Sequence, residues 1–295
     1  MFSFIKQIGE PVNQSCLVFK TSGFPIIPGM VNLIDDFVAL GNRVLGVSVD
    51  YLTRGRINTF HFANDDYFCE NTKLKLTHTN IKDLKKVKAI IWDWNGTLLD
   101  DLEISIAAMN RMLKKRNSPL LEKEQYKEIF TFPVRDYYTH AGLHFAEDEW
   151  DAVAMEFIDN YRDTVKAACF HTQSSDLLRY LAKGQYRQFV LSAMQQDFLT
   201  ETIGQRIDLN LFEEIVGLNN HYAHTKVDNA ITLVKNTGLN KNEIVMIGDT
   251  LHDFEVAEAV GTACILFAGG HQSRSRLETS GTLVIEELDE LRKWL

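Results

Sequence analysis

From residue 87 onward the chain alternates between two hydrophobic signatures. Short apolar runs at 87–92, 189–191, 244–247 and 264–267 have the length and the Val, Ile, Leu and Phe content of buried strands. Stretches of helical spacing lie between them. The helix expected over 227–237 stops at Gly238, and the one over 253–260 stops at Gly261; glycine just past the last turn is the usual helix stop. Strands alternating with helices predict a parallel sheet covered on both faces. A long interval, 101–184, interrupts the alternation and reads as several helices inserted into this core, the last packing back on the sheet. Leu102, Ile106, Met109 and Leu113 fall on one helical face there, as do Trp150, Val153, Phe157 and Tyr161.

Residues 1–85 follow another rhythm. Runs at 44–52 and 57–62 read as two strands around Thr53-Arg54-Gly55-Arg56, a hairpin pattern. A helix is expected over 31–40, and Lys73-Leu74-Lys75-Leu76 alternates like a half-exposed strand. These signals predict a small α+β unit, bounded by the polar stretch 77–86. Its role is open between a binding appendage and a structural extension, and the oligomeric state is unknown.

Composition narrows the class of function. The chain has 295 residues, 45% hydrophobic and 24% charged, the mix of a globular protein of one large or two smaller domains. A formal net charge of −9 argues against nucleic acid as the main partner, because neutralising phosphates needs a basic face. The four cysteines form no CxxC pair, which favours a reducing, cytoplasmic setting. No apolar run approaches the roughly 18 residues of a membrane span, and the first residues lack the pattern of a secretion signal.

The candidate chemistry sits where strands should end. Asp93 follows the first apolar run in Asp93-Trp94-Asn95-Gly96-Thr97-Leu98. Ser192 follows the second, Lys226 opens a helix, and Gly248-Asp249-Thr250-Leu251-His252-Asp253 follows the third. Ligands of open α/β sheets bind beyond the carboxyl ends of the strands, so these residues can converge. Asp93, Asp249 and Asp253 side by side would repel unless a cation neutralised them, and a sparse all-oxygen set suits Mg²⁺ beside a phosphate. A hydroxyl and a lysine then suit phosphoryl oxygens.

The four motifs in this order resemble the haloacid dehalogenase-like superfamily, and within it phosphoglycolate-phosphatase-like members with a helical cap. The resemblance covers about residues 87–285. It implies a Rossmann-like parallel sheet core over 86–100 and 185–295 with an inserted helical cap over 101–184, preceded by the α+β unit of 1–85. It implies a Mg²⁺-dependent phosphatase-like hydrolase of small phosphorylated metabolites, with Asp93 forming an aspartyl-phosphate. Asp93, Asp249 and the backbone carbonyl of Asn95 would bind Mg²⁺, and Asp253 would support the metal or ligate it through water. Thr97, Ser192 and Lys226 would hold the phosphoryl oxygens. Arg135 in the inserted helices would reach a second anionic group, or be a surface arginine.

One position departs from the pattern. Such phosphatases usually carry an acid–base aspartate two residues after the nucleophile, and here that position is Asn95. An amide can donate a hydrogen bond but cannot shuttle a proton near neutrality. His252 and His271 are candidate proton carriers; solvent-facing loop histidines are the plainer reading. A catalytically weakened protein that binds a phosphorylated ligand or a protein partner is the alternative, and phosphoryl transfer to a hydroxyl a minor third. His221 and His224 stand at a metal-compatible spacing, but no Cys or acidic partner completes a zinc set nearby. Gly269-Gly270-His271 is expected at the cleft edge or in a plain turn.

Overall fold

The computed structural model describes residues 84–218 and 226–295 in full, together with the backbone of four strands between residues 17 and 73. The chain forms two compact units, Met1–Leu76 and Thr77–Leu295. In the first, β1 (Leu17–Lys20), β2 (Val47–Thr53), β3 (Arg56–Ala63) and β4 (Asp66–Lys73) lie side by side in chain order. β1 runs parallel to β2, and the other neighbours are antiparallel. β2 and β3 are the two strands expected from the pattern, with Thr53 opposite Arg56 as the hairpin requires. The pattern did not announce β1 or β4; in β4, Tyr67, Phe68 and Cys69 are consecutive and do not alternate. Of the alternating segment 73–76 only Lys73 lies in β4. The rest of it, and the expected helix at 31–40, fall outside the described residues.

The second unit begins with β5 (Ala89–Trp92) and β6 (Leu99–Asp100). Four helices follow: α1 (Leu102–Lys115), α2 (Lys123–Ile129), α3 (Val134–His140) and α4 (Trp150–Thr164). Then come β7 (Cys169–Phe170), α5 (Ser174–Lys183), β8 (Arg187–Gln195), α6 (Gln196–Gly204), β9 (Glu214–Leu218), α7 (Lys226–Thr237), β10 (Ile244–Gly248), α8 (Leu251–Val260), β11 (Ala263–Phe267), α9 (Arg274–Leu277) and β12 (Leu283–Ile285). Six strands form one sheet in the order β12-β11-β10-β5-β8-β9, every pair parallel. The edge strands β9 and β12 are only half-buried, which is why no clean apolar run marked them.

Alternation along the strands sorts the core into two layers. Ala89, Ile91, Phe189, Leu191, Ile244 and Met246 face α7 and α8 through Ala230, Leu233, Val256 and Val260. Ile90, Trp92, Val190, Val245 and Ile247 face the other way, against Leu177, Leu178 and Leu181 of α5 and Leu199 and Ile203 of α6. Removing a large apolar side chain from water stabilises by about 1.5–3 kcal/mol, so a sheet covered on both faces is the favoured home for strands apolar on both sides.

β6 and β7 pair antiparallel, Leu99 opposite Phe170 and Asp100 opposite Cys169. The segment between them therefore leaves and rejoins the core at one place. Its helices bury a core of their own that includes Met109, Met112, Leu113, Leu121, Tyr126, Tyr137 and Val153. The stripes read from sequence lie on α1 and α4.

Candidate active site

β5 is flanked by β10 on one side and β8 on the other, so the carboxyl ends of these strands adjoin. Asp93 is the first residue past β5, and its N–H donates to the Ile247 carbonyl at 2.8 Å, tying it to the end of β10. Asp249 is the first residue past β10, and Lys226 is the first of α7. Asp253 stands in the first turn of α8. Its Oδ2 accepts the Thr250 N–H at 3.0 Å and the Thr250 hydroxyl at 2.7 Å, a capping box that fixes the carboxylate against the helix start.

These groups meet. Lys226 Nζ donates to Asp93 Oδ1 at 2.5 Å and to Asp253 Oδ1 at 2.6 Å. Thr97 Oγ lies 3.0 Å from Asp249 Oδ1 and 3.3 Å from Asp93 Oδ2. Ligand atoms of Asp93, Asp249 and Asp253 lie within 4.8 Å of one another, all three residues buried. Glycines permit the approach: a Cβ on Gly96 would sit 2.3 Å from Asp249 Oδ2, and one on Gly270 would sit 2.2 Å from the same atom. Gly96 also has φ +75°, a left-handed backbone that suits glycine.

Burial sets the electrostatics. It pushes Asp93 up to about 8, with Lys226 opposing and the other two aspartates reinforcing. Burial also pushes Asp249 up to about 6, against the pull of His271. For Asp253 the charge and hydrogen bond of Lys226 outweigh burial, and its carboxyl is held below the ordinary value. Lys226 itself is held above its ordinary value, because the two carboxylates outweigh its own desolvation. Hard oxygen donors, buried together and under-neutralised by one ammonium, are a set that can hold a metal ion.

A second network lies behind Asn95. Asn95 Nδ2 donates to Asp101 Oδ2 at 2.9 Å and to the Tyr161 hydroxyl at 2.8 Å, while that hydroxyl donates to Asp101 Oδ2 at 2.6 Å. Asp101 Oδ1 accepts the Gly96 N–H at 2.7 Å and lies 3.3 Å from His271 Nε2. His271 Nδ1 is 2.9 Å from the Tyr126 hydroxyl, and the His271 N–H donates to Asp249 Oδ2 at 2.6 Å. The Asp101 carboxylate, desolvated but facing His271, is held below the ordinary range; His271 is pushed up to about 9 by Asp101 against its own burial. His171 reaches the Gly96 carbonyl at 3.0 Å.

The structure brings together Asp93, Thr97, Lys226, Asp249 and Asp253, and it places Ser192 Oγ 3.4 Å from Asn95 Oδ1, in the network behind them. Arg135 makes no contact with this group. Its guanidinium pairs with Glu147 at 2.5 Å and lies over the Phe145 and Trp150 rings. His271 is not a solvent-facing loop residue: it is 4% exposed, and Gly270 abuts Asp249. His252 is half-exposed, 3.3 Å from Glu255 and stacked on Phe132. His221 and His224 lie outside the described residues. Sequence reasoning passed over Asp101, Tyr126 and Tyr161. Asp101 was read only as the first residue of the inserted interval, and Tyr161 only as part of an apolar stripe; their one signal is a polar atom on a buried position.

A family model described as haloacid dehalogenase-like hydrolase matches residues 90–267, more than half of the chain. The chain belongs to that family. Among curated relatives, it is 25% identical over 214 residues to the N-acetylmuramic acid 6-phosphate phosphatase of Pseudomonas putida, covering 70% of this chain and 96% of that one. It is 24% identical to the phosphoglycolate phosphatase of the same organism, covering 69% and 78%. The fold is shared with a haloacid dehalogenase-like family hydrolase from Streptococcus pneumoniae, at a TM-score of 0.61 and 18% identity over 71% of this chain and 99% of that one. Each of these three matches spans about 70% of the chain. Among the described residues no helix is long and apolar enough to cross a membrane.

Proposed function

We propose that this protein is a cytoplasmic, Mg²⁺-dependent phosphatase of small phosphorylated metabolites that works through an aspartyl-phosphate on Asp93. The enzyme class is that of the family and its phosphatase-named relatives, a phosphoric monoester hydrolase. The observation that carries the reading is the cluster at the strand ends: three buried carboxylates, with Lys226 bridging two of them.

The donor set fits Mg²⁺. Asp93, Asp249 and the Asn95 carbonyl would hold it. Asp253 has one oxygen on Lys226 and the other on Thr250, which suits support of the cluster better than direct ligation. Bound Mg²⁺ would offset charge on the phosphoryl oxygens. Asp93 attacks phosphorus, the bond to the leaving oxygen breaks with its electron pair on that oxygen, and water later displaces phosphate from Asp93. Lys226, Thr97 and Ser192 hold phosphoryl oxygens through these steps. Residues 101–184 act as the cap over this site, on a core of 86–100 and 185–295, preceded by the α+β unit of 1–85.

Asn95 cannot give the leaving oxygen a proton, and positioned acid–base catalysis is worth about 10²–10⁴-fold. Substrates with acidic leaving groups, such as acyl phosphates, therefore turn over best. Two relatives act on phosphorylated acids by their names, which puts small phosphorylated carboxylic acids first among physiological candidates. The missing carboxylate also favours a second reading, a binder of phosphorylated ligands with little turnover.

Phosphate release from phosphate esters, acyl phosphates and anhydrides, with Mg²⁺ or EDTA, separates these readings. Metal-dependent release from the wild type that vanishes in Asp93→Asn is expected. Release only from Asn95→Asp would favour the binder. No release from any variant on these substrates would end the catalytic reading for them.

A further inference from the structure

We propose that Asp101 is a positioning residue that locks the Asn95 carboxamide with its nitrogen inward and its oxygen toward Ser192. The inference deepens the catalytic reading and rests on it for its effect on turnover.

The geometry leaves Asn95 one orientation. An ionised carboxylate only accepts hydrogen bonds, so the Asn95 atom 2.9 Å from Asp101 Oδ2 must be the donor nitrogen. Tyr161 gives its hydroxyl proton to the same Asp101 oxygen, which leaves the phenolic oxygen as acceptor for the other Asn95 N–H. The amide nitrogen is thereby held by two groups behind the residue. The oxygen Oδ1 is what remains, 3.4 Å from Ser192 Oγ.

Asp101 does this instead of its ordinary work. It is the N-cap residue of α1, a place where aspartate normally accepts from the helix's own N–H groups, yet its side chain makes no capping bond. All of its acceptor capacity faces Asn95, Gly96, Tyr161 and His271, and the residue is 1% exposed. The Gly96 N–H on Oδ1 fixes the backbone on one side of Asn95 while Oδ2 fixes its side chain. Tyr161 comes from α4, so an inserted helix helps to set this residue.

An amide oxygen can orient a water or an alcohol by accepting its hydrogen bond without taking the proton, as amides do in other phosphoryl-transfer sites. Asn95 is thus an acceptor toward the reaction, and Asp101 is what makes it one. In Asp101→Asn the partner can donate as well as accept, and the Asn95 carboxamide is released to flip.

The test is a double-mutant cycle in the full-length chain, with para-nitrophenyl phosphate and Mg²⁺. Asp101→Asn should lower kcat about ten- to a hundredfold, the worth of a hydrogen bond to a charged group, with KM changed less than about twofold. In an Asn95→Ala background the same substitution should change kcat less than about twofold, because the side chain it positions is gone and an amide oxygen at this position can still accept the Gly96 N–H. Losses that simply multiply would overturn the proposal and leave Asp101 a structural residue. If Asp101→Asn does not fold, Tyr161→Phe serves in its place, with a smaller loss that must likewise vanish beside Asn95→Ala.

A readout independent of turnover is the Asn95 side-chain amide signal in nitrogen-15 NMR, assigned by its absence in Asn95→Ala. Slow exchange in the wild type and fast exchange in Asp101→Asn or Tyr161→Phe is the expected result. Equal exchange in all would overturn the lock. If the wild type releases no phosphate, the catalytic reading falls with the claim on kcat, and the exchange rates alone decide the lock.

Discussion

The two edges of the six-stranded sheet carry the same kinds of residue to opposite effect. At the carboxyl ends, Lys226 bridges Asp93 and Asp253 with side chains only 6%, 9% and 2% exposed. At the amino ends, Lys88 pairs with Glu243 at 2.6 Å and Arg187 with Glu213 at 2.6 Å, with Lys88 62% exposed. The amino-end pairs staple neighbouring strand starts: the Lys88 N–H donates to the Glu243 carbonyl, and the Arg187 N–H to the Lys88 carbonyl. Water reaches the Lys88, Arg187 and Glu213 side chains, so pairing them changes little. The carboxyl-end charges have been taken out of water, where a charge without a partner is costly and an incoming ligand's charge counts in full. Placement, more than residue type, separates a working cluster from strand-edge trim.

The largest expected effect is on turnover. Asp93→Asn should reduce phosphate release by at least about 10⁴-fold, as loss of a nucleophile does, while circular dichroism stays unchanged. A variant within tenfold of the wild type would move the chemistry away from this residue.

Next comes stability at the same edge. Lys226→Met leaves Asp93 and Asp253 buried without their cation. Breaking a buried pair from one side costs about 3–5 kcal/mol, read as a lower urea midpoint in the presence of EDTA. A loss under about 1 kcal/mol would put these carboxylates on the footing of surface pairs, and the contrast between the edges would collapse.

Asp93 and Asp249 were legible in the sequence because strand and charged residue follow one another within a few positions. Ile244 to Ile247 announces a strand, and Asp249 is where it must end. Lys226 was picked out by its place at a helix start. The two edge strands were illegible, because β9 has only Gly217 fully buried and β12 only Ile285. The network behind Asn95 was illegible for another reason. Asp101, Tyr126, Tyr161 and His271 come from four separate segments, and only the packing of the inserted helices beside the loop after Asp93 joins them. An apolar stripe shows that Tyr161 is buried, but not that its hydroxyl has a carboxylate to meet.

At the amino ends the effects shrink. Arg187→Ala removes a bidentate pair with Glu213 and a bond to the Thr237 carbonyl. Partly exposed as the pair is, the cost should be about 1 kcal/mol or less, with phosphate release unchanged. A change in kcat would show that the sheet carries strain from one edge to the other.

The smallest effect is a matter of pH. Glu243 is held down to about 2 from an ordinary 4.5, first by the hydrogen bond from Lys88 and then by those from Asn240. A carboxyl depressed by folding lends stability that is present above its unfolded value and fades as pH falls toward the folded one. Wild type should therefore melt slightly above Glu243→Gln near neutrality, and the gap should close between about pH 4.5 and about pH 2. A gap that holds constant through that window would assign the difference to the shape of the turn at Asn240 instead of to charge. Because the Lys88 end of the pair lies open to water, added salt should narrow the neutral gap. The same salt should leave the loss in Lys226→Met almost untouched, since ions do not reach the partners that Lys226 leaves behind.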